Sequence, residues 1–150
     1  MTRTFWLIAL LTPFVVPLLV FLVAGLTQGM SPAAVTVALV DQCAGGKPNP
    51  LVSGIVGLAP IGVITIVLLG LRRRVAPDDP RLAATGWGAL LAAALVIAWA
   101  NWEYWPKYLP ERKFMMFPHG MELVIGPLFF APVGVVVGAL VGWLTGRRAA

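Results

Sequence analysis

Apolar positions fill long stretches of this chain, and charged positions are confined to the gaps between them. Residues 4–40, 48–71, 82–102 and 123–146 contain no Asp, Glu, Lys or Arg. A helix rises ~1.5 Å per residue, so about 20 apolar residues cross the ~30 Å hydrocarbon layer of a bilayer. The last three intervals each fit one crossing. The first is too long for one and too short for two with a turn, so it divides. Residues 5–27 read as a first crossing, and Gln28-Gly29-Met30 breaks it. Ser31-Pro32 then has the form of an N-cap followed by proline at the first helical position. Residues 33–40 read as a short helix on the outer surface, although the alternation of Val35, Val37 and Leu39 suits a strand equally well. Residues 44–50 form a turn-rich loop.

The expected fold is therefore all-α. A single transmembrane domain spans 1–150, a four-transmembrane-helix bundle with crossings at about 5–27, 51–71, 82–102 and 122–145. A cleaved leader is the competing reading of the first crossing. Its apolar core is long for that purpose and carries Pro13 and Pro17, and Leu22-Val23-Ala24-Gly25 is a poor cleavage site.

The second and fourth crossings resemble each other. Leu58-Ala59-Pro60-Ile61-Gly62-Val63 aligns with Phe130-Ala131-Pro132-Val133-Gly134-Val135, and the same offset pairs Gly54 with Gly126 and Gly70 with Gly142. This pattern suggests two helical hairpins related by a parallel internal repeat. The first and third crossings show no such match. Proline removes a helix hydrogen bond, so each copy should bend near its Ala-Pro pair as a fixed kink.

Small residues mark packing faces. Gly134, Gly138, Gly142 and Gly146 recur every fourth position and form one smooth ridge. Ala84, Gly88 and Ala92 form a similar strip in the third crossing, and Ser53 and Gly57 in the second. Lipid supplies no hydrophobic drive between helices, so such strips act by letting backbones touch. The partner lies either within the chain or on another subunit.

Composition agrees: 59% of the 150 residues are hydrophobic and 11% charged, against about 25% charged in soluble domains. The net charge of +5 reflects topology rather than nucleic-acid binding. Arg3, Arg72, Arg73, Arg74, Arg81, Arg147 and Arg148 fall on one side of a four-crossing chain, and Lys47, Lys107, Arg112 and Lys113 on the other. The richer side should be cytoplasmic, with both termini, in a cell inner (plasma) membrane.

Candidate chemistry is sparse. No ionisable residue lies deep in a crossing, where proton relays and ion-coupled carriers place them. Polar groups gather on the outer side: Asp41, Cys43, Glu103, His119 and Glu122. His119 and Glu122 share a helical face but fall short of a metal site, and no nucleophile–base set stands out. The single cysteine excludes an internal disulfide. No catalytic residue, cofactor or metal is expected. The aromatic stretch around Trp102, Tyr104 and Trp105, continued by Phe114 and Phe117, reads as an interfacial belt or an outer docking surface, broken into short pieces by Pro106, Pro110 and Pro118. Trp102, Trp105, Phe117, His119 and Glu122 are the candidate outer-face residues. The sequence thus points to a non-enzymatic accessory or assembly subunit of a membrane complex, with lipid and other membrane proteins as partners. A small transporter, channel-like or toxin-immunity membrane protein is the alternative.

Overall fold

A computed structural model of the chain describes residues 1–45, 48–76, 78–109 and 120–146. Within them the chain is helical. Helix α1 runs over Arg3–Thr27, α2 over Pro32–Gly45, α3 over Pro50–Val56, α4 over Leu58–Arg72, α5 over Pro80–Tyr108, α6 over Glu122–Ile125 and α7 over Ala131–Gly146, with a π-helical turn at Gly126–Phe130 joining the last two. Four spans are long and apolar enough to cross a membrane: α1, Pro50–Arg72 (α3 with α4), α5, and Glu122–Gly146 (α6 through α7). The chain is a four-helix membrane bundle.

Local chemistry sets the helix ends. Thr2 caps α1 by accepting from the Phe5 N–H. The chain leaves α1 through Gly29, whose φ of 81° lies in the left-handed region that glycine enters without steric cost. The Ser31 hydroxyl accepts from the Ala34 N–H. Asn49 and Asp79 cap α3 and α5 from their side chains, each followed by proline at the first helical position, where a missing N–H costs nothing.

Residues 33–40 are helical rather than extended, and α2 continues through Cys43 to Gly45. Val35, Ala38 and Gln42 face inward, a spacing of three and four that only a helix places on one face. Val37 and Val40 remain exposed.

The crossings are tied to each other in unequal ways. Phe5, Ala9, Pro13, Pro17, Phe21 and Ala24 form the buried stripe of α1. Pro17 has no N–H to give to the Pro13 carbonyl, and the backbone of Gly54 comes up against that oxygen: a Cβ built on Gly54 lies 3.1 Å from it. At Gly57 the same test gives 2.8 Å to the Pro13 ring. The prolines of the first crossing thus meet the glycines of the second.

The tightest pairing joins α5 and α7. A Cβ on Gly138 runs into the Gly88 carbonyl and lies 2.7 Å from the Ala92 methyl, and one on Gly142 lies 2.9 Å from the Thr85 Cα. Gly134 meets Val96 and Ala92, and Gly146 meets Arg81 and Ala84. The ridge of α7 therefore lies on the Ala84-Gly88-Ala92 strip of α5, inside the same chain.

Both copies of the Ala-Pro motif follow an irregularity. The second span breaks at Gly57, three residues before Pro60, and the π turn ends directly before Ala131-Pro132. Elsewhere the bundle is inside-out by the standard of a soluble protein. Leu7, Leu11, Ile66, Leu91, Leu95 and Leu140 are exposed, which places them against lipid.

Candidate functional site

The two ends of the bundle differ in kind. One carries Arg72, Arg73, Arg74 and Arg81 and is called here the arginine end. The other, the aromatic end, holds α2 and the last turns of α5 over a core of Phe21, Ala24, Val35, Ala38, Tyr104, Trp105, Tyr108, Leu109 and Leu123.

The helix of the third crossing does not stop near residue 102. It continues as one helix through Pro106 to Tyr108, so the expected short interfacial pieces are replaced by helix as far as the described residues go. The reason is its inward face. Ile97, Ala100, Asn101, Tyr104, Trp105 and Tyr108 are all buried and recur at three and four residues. Pro106 sits in the last turn, where the single lost hydrogen bond is outweighed by that packing. Trp105 is fully buried, not on an outer face. Its indole Nε1–H donates to Asn101 Oδ1 at 2.9 Å, while Asn101 Nδ2 donates to the Ile97 carbonyl at 2.9 Å. The ring packs edge-on against Phe21 at 4.8 Å and Tyr104 at 5.0 Å. Trp102 is exposed, as is Trp99 one turn earlier, and these two fit a belt facing headgroups.

The other polar candidates do not converge. Glu103 pairs with Lys107 at 3.0 Å on the surface, a spacing that adds little stability. Glu122 accepts from the Gly120 N–H at 2.7 Å, which anchors the start of the fourth span. Cys43 is half-buried, and burial pushes its thiol up, away from the thiolate form that carries reactivity. Asp41 lies on the exposed side of α2. Among the described residues no three His, Cys, Asp or Glu side chains come together. Phe114, Phe117 and His119 lie outside the described residues.

Three polar groups that the charge pattern does not reveal sit at this end. Gln42 Nε2 donates to the Pro48 carbonyl at 2.7 Å, and the Tyr108 hydroxyl donates to Gln42 Oε1 at 3.4 Å. This joins α2 to α5 across the bundle. Asn101 fixes Trp105. Ser53 is buried, and its hydroxyl finds no partner among the described residues. It lines a cleft of about 460 Å³ with Pro48, Asn49, Val52, Val56 and Leu123. The signal for Asn101 was present in the sequence as the helical spacing 97, 101, 104, 105, 108. Nothing in the sequence marks Gln42.

A second cavity opens sideways. Val67, Leu71, Val136, Ala139, Leu140 and Trp143 enclose an apolar groove of about 260 Å³ between α4 and α7, with Thr85 at its base. The Thr85 hydroxyl donates to the Arg81 carbonyl of its own helix, so it offers the groove no free donor. Trp143 is held by the Arg81 guanidinium, 5.6 Å from its ring centre.

No family model, no curated protein and no solved structure matches the chain.

Proposed function

We propose that this multi-pass membrane protein is a non-catalytic accessory or assembly subunit of a larger membrane complex. It sits in a cell inner (plasma) membrane with the arginine end and both termini cytoplasmic. The lateral groove between α4 and α7 carries this reading. It is apolar, opens toward the lipid, and is bordered by the rigid ring of Trp143 and by exposed Val136 and Leu140. Such a groove suits an apolar side chain of a neighbouring helix, where van der Waals fit drives association. Gln42, Thr85, Asn101, Trp105 and Tyr108 bond to one another or to backbone carbonyls, which favours a static core over a conduction path along them.

The test is purification in mild detergent with identification of stoichiometric partners, followed by Leu140→Trp to fill the groove. The expected outcome is a defined partner that the variant releases while the bundle keeps its helicity. Leu7→Trp, on an equally exposed position of α1, should leave the complex intact. Absence of any stoichiometric partner, or equal release by both variants, overturns the proposal. Reporters after Arg74 and Arg148 should be cytoplasmic, and those at Lys47 and Lys113 external. A cytoplasmic signal at Lys113 overturns the orientation.

A small transporter is the second reading, and the Ser53 cleft favours it. An orphan hydroxyl beside a cleft is what a substrate-binding pocket offers. Uptake by vesicles containing the protein that is lost on Ser53→Val would replace the first reading with this one.

A further inference from the structure

We propose that the arginine end of α4 is a binding site for one anionic phospholipid. Ile66, Val67, Gly70 and Leu71 line a trough of about 400 Å³ that ends at Arg73 and Arg74. The apolar part runs along the helix for rather more than one turn, and Arg73 and Arg74 line its end nearest the membrane edge. That is the order of groups in a phospholipid: acyl chain in the membrane, phosphate at its edge.

Charge complementarity selects the occupant. Neither Arg73 nor Arg74 forms an ion pair among the described residues, and both are exposed. The acidic residues of the adjoining turn do not neutralise them: Asp79 lies by Arg81 at 4.0 Å and caps α5, and Asp78 is exposed. A guanidinium presents a planar fork of donors that matches phosphate oxygens. Basic residues at the cytoplasmic end of a membrane helix attract anionic headgroups.

The trough has a second, independent mark. Gly62 and Gly70 have nothing within 4 Å of a built Cβ, whereas their repeat counterparts Gly134 and Gly142 are covered by α5. The second span therefore leaves open the face that the fourth span uses to bind a helix. At Gly70 the missing side chain makes the floor of the trough, where an acyl chain lies flat against backbone.

The experiment uses the full chain in nanodiscs of equal parts phosphatidylcholine and phosphatidylglycerol. Lipid retained after transfer to detergent is read by native mass spectrometry. The wild type is expected to keep phosphatidylglycerol in preference to phosphatidylcholine, and excess inorganic phosphate should not displace it. Arg73→Gln with Arg74→Gln should reduce that preference roughly tenfold or more. Gly70→Leu, which fills the floor without altering charge or packing, should lower retention as well. Arg3→Gln, at the same end on another helix, should leave it unchanged. Equal retention of both lipids by the wild type, or an undiminished preference in the double variant, overturns the proposal. So does a loss as large in Arg3→Gln as in the double variant, since that indicates diffuse attraction instead of a site. Should the double variant fail to fold by circular dichroism, Gly70→Leu decides by itself: retention at the wild-type level overturns the site.

Discussion

The second and fourth spans carry the same motif and do opposite things with it. On α7 the small residues are covered: Gly134, Gly138 and Gly142 lie against the backbone of α5. On α4 the positions in register are Gly62, Ile66 and Gly70, and all three are exposed. The difference is not in the glycines. It follows from where the partner helix goes. The first crossing meets the second at Gly54 and Gly57, through Pro13 and Phe14, and along α4 it is Ile61, Ile64 and Leu68, not the glycines, that face inward to the core shared with Phe5 and Ala9. The third crossing instead stays with the fourth along the whole ridge. Small residues permit close approach, and the neighbour's path decides whether it happens.

Substitutions graded by what a new side chain would strike can break this comparison. The largest effect is expected from Gly138→Leu. Its Cβ meets the Gly88 carbonyl, which is backbone and cannot rotate away. We expect a loss of about 3 kcal/mol or outright failure of the bundle, read as a fall in detergent melting temperature. Val137→Leu, one residue off the ridge and exposed, should stay within about 0.5 kcal/mol. Equal behaviour of the two variants would remove the reason for singling out the ridge.

Next comes the support that keeps α5 in place at the other end. Trp105→Phe keeps an aromatic side chain but replaces the indole by a smaller ring and leaves Asn101 Oδ1 without its donor in a fully buried site. The expected cost is about 1–3 kcal/mol, and the same melting assay checks it. A wild-type melting curve would mean that the aromatic core tolerates the orphaned oxygen.

Gly54→Ala should be milder, about 1 kcal/mol, because its principal obstacle is the half-buried Phe14 ring, which can swing aside. Smallest of all is Gly62→Ala. The new methyl meets open space, and alanine is the better helix former by up to about 1 kcal/mol. The outcome should be neutral or slightly stabilising. A destabilisation as large as that of Gly54→Ala would mean that α4 is covered after all, and would sharpen the search for what covers it.

The crossings were legible because charge cannot enter hydrocarbon cheaply, and charge-free intervals therefore mark them. The glycine spacing was legible for the same kind of reason, since a four-residue period defines one helical face. Which helix that face meets was not, because lipid and protein are equally apolar neighbours and the pattern cannot separate them. The charge-free interval ends at Glu103, and taking Pro106 as a break after it hides the continuation of the helix to Tyr108. A proline in the last turn removes one bond only, and the buried run from Ile97 to Tyr108 outweighs it. Trp105 was assigned to the surface by residue type, although its spacing from Asn101 and Tyr108 already pointed inward. Gln42 escaped because a lone glutamine in a short helix carries no periodic signal. Its role appears only when α2 folds over α5.

The π turn at Gly126–Phe130 has one consequence for the fourth span. There the Ala131 N–H reaches back five residues to the Gly126 carbonyl, so the turn holds one residue more than an α-helical turn. That surplus acts as a phase shifter. Each residue of an α-helix advances the azimuth by about 100°, and the turn sets the clocking of everything after it against everything before. Leu123 and Gly126 are placed for the aromatic core and Ala100, while Gly138 and Gly142 are placed for α5. Deleting Leu128 would remove the surplus and leave an uninterrupted α-helix with its two halves still in step, whereas the same residues wound without the π turn would fall out of step. Either the aromatic core or the glycine ridge would keep its bearing, and the other would swing by about a quarter turn toward lipid.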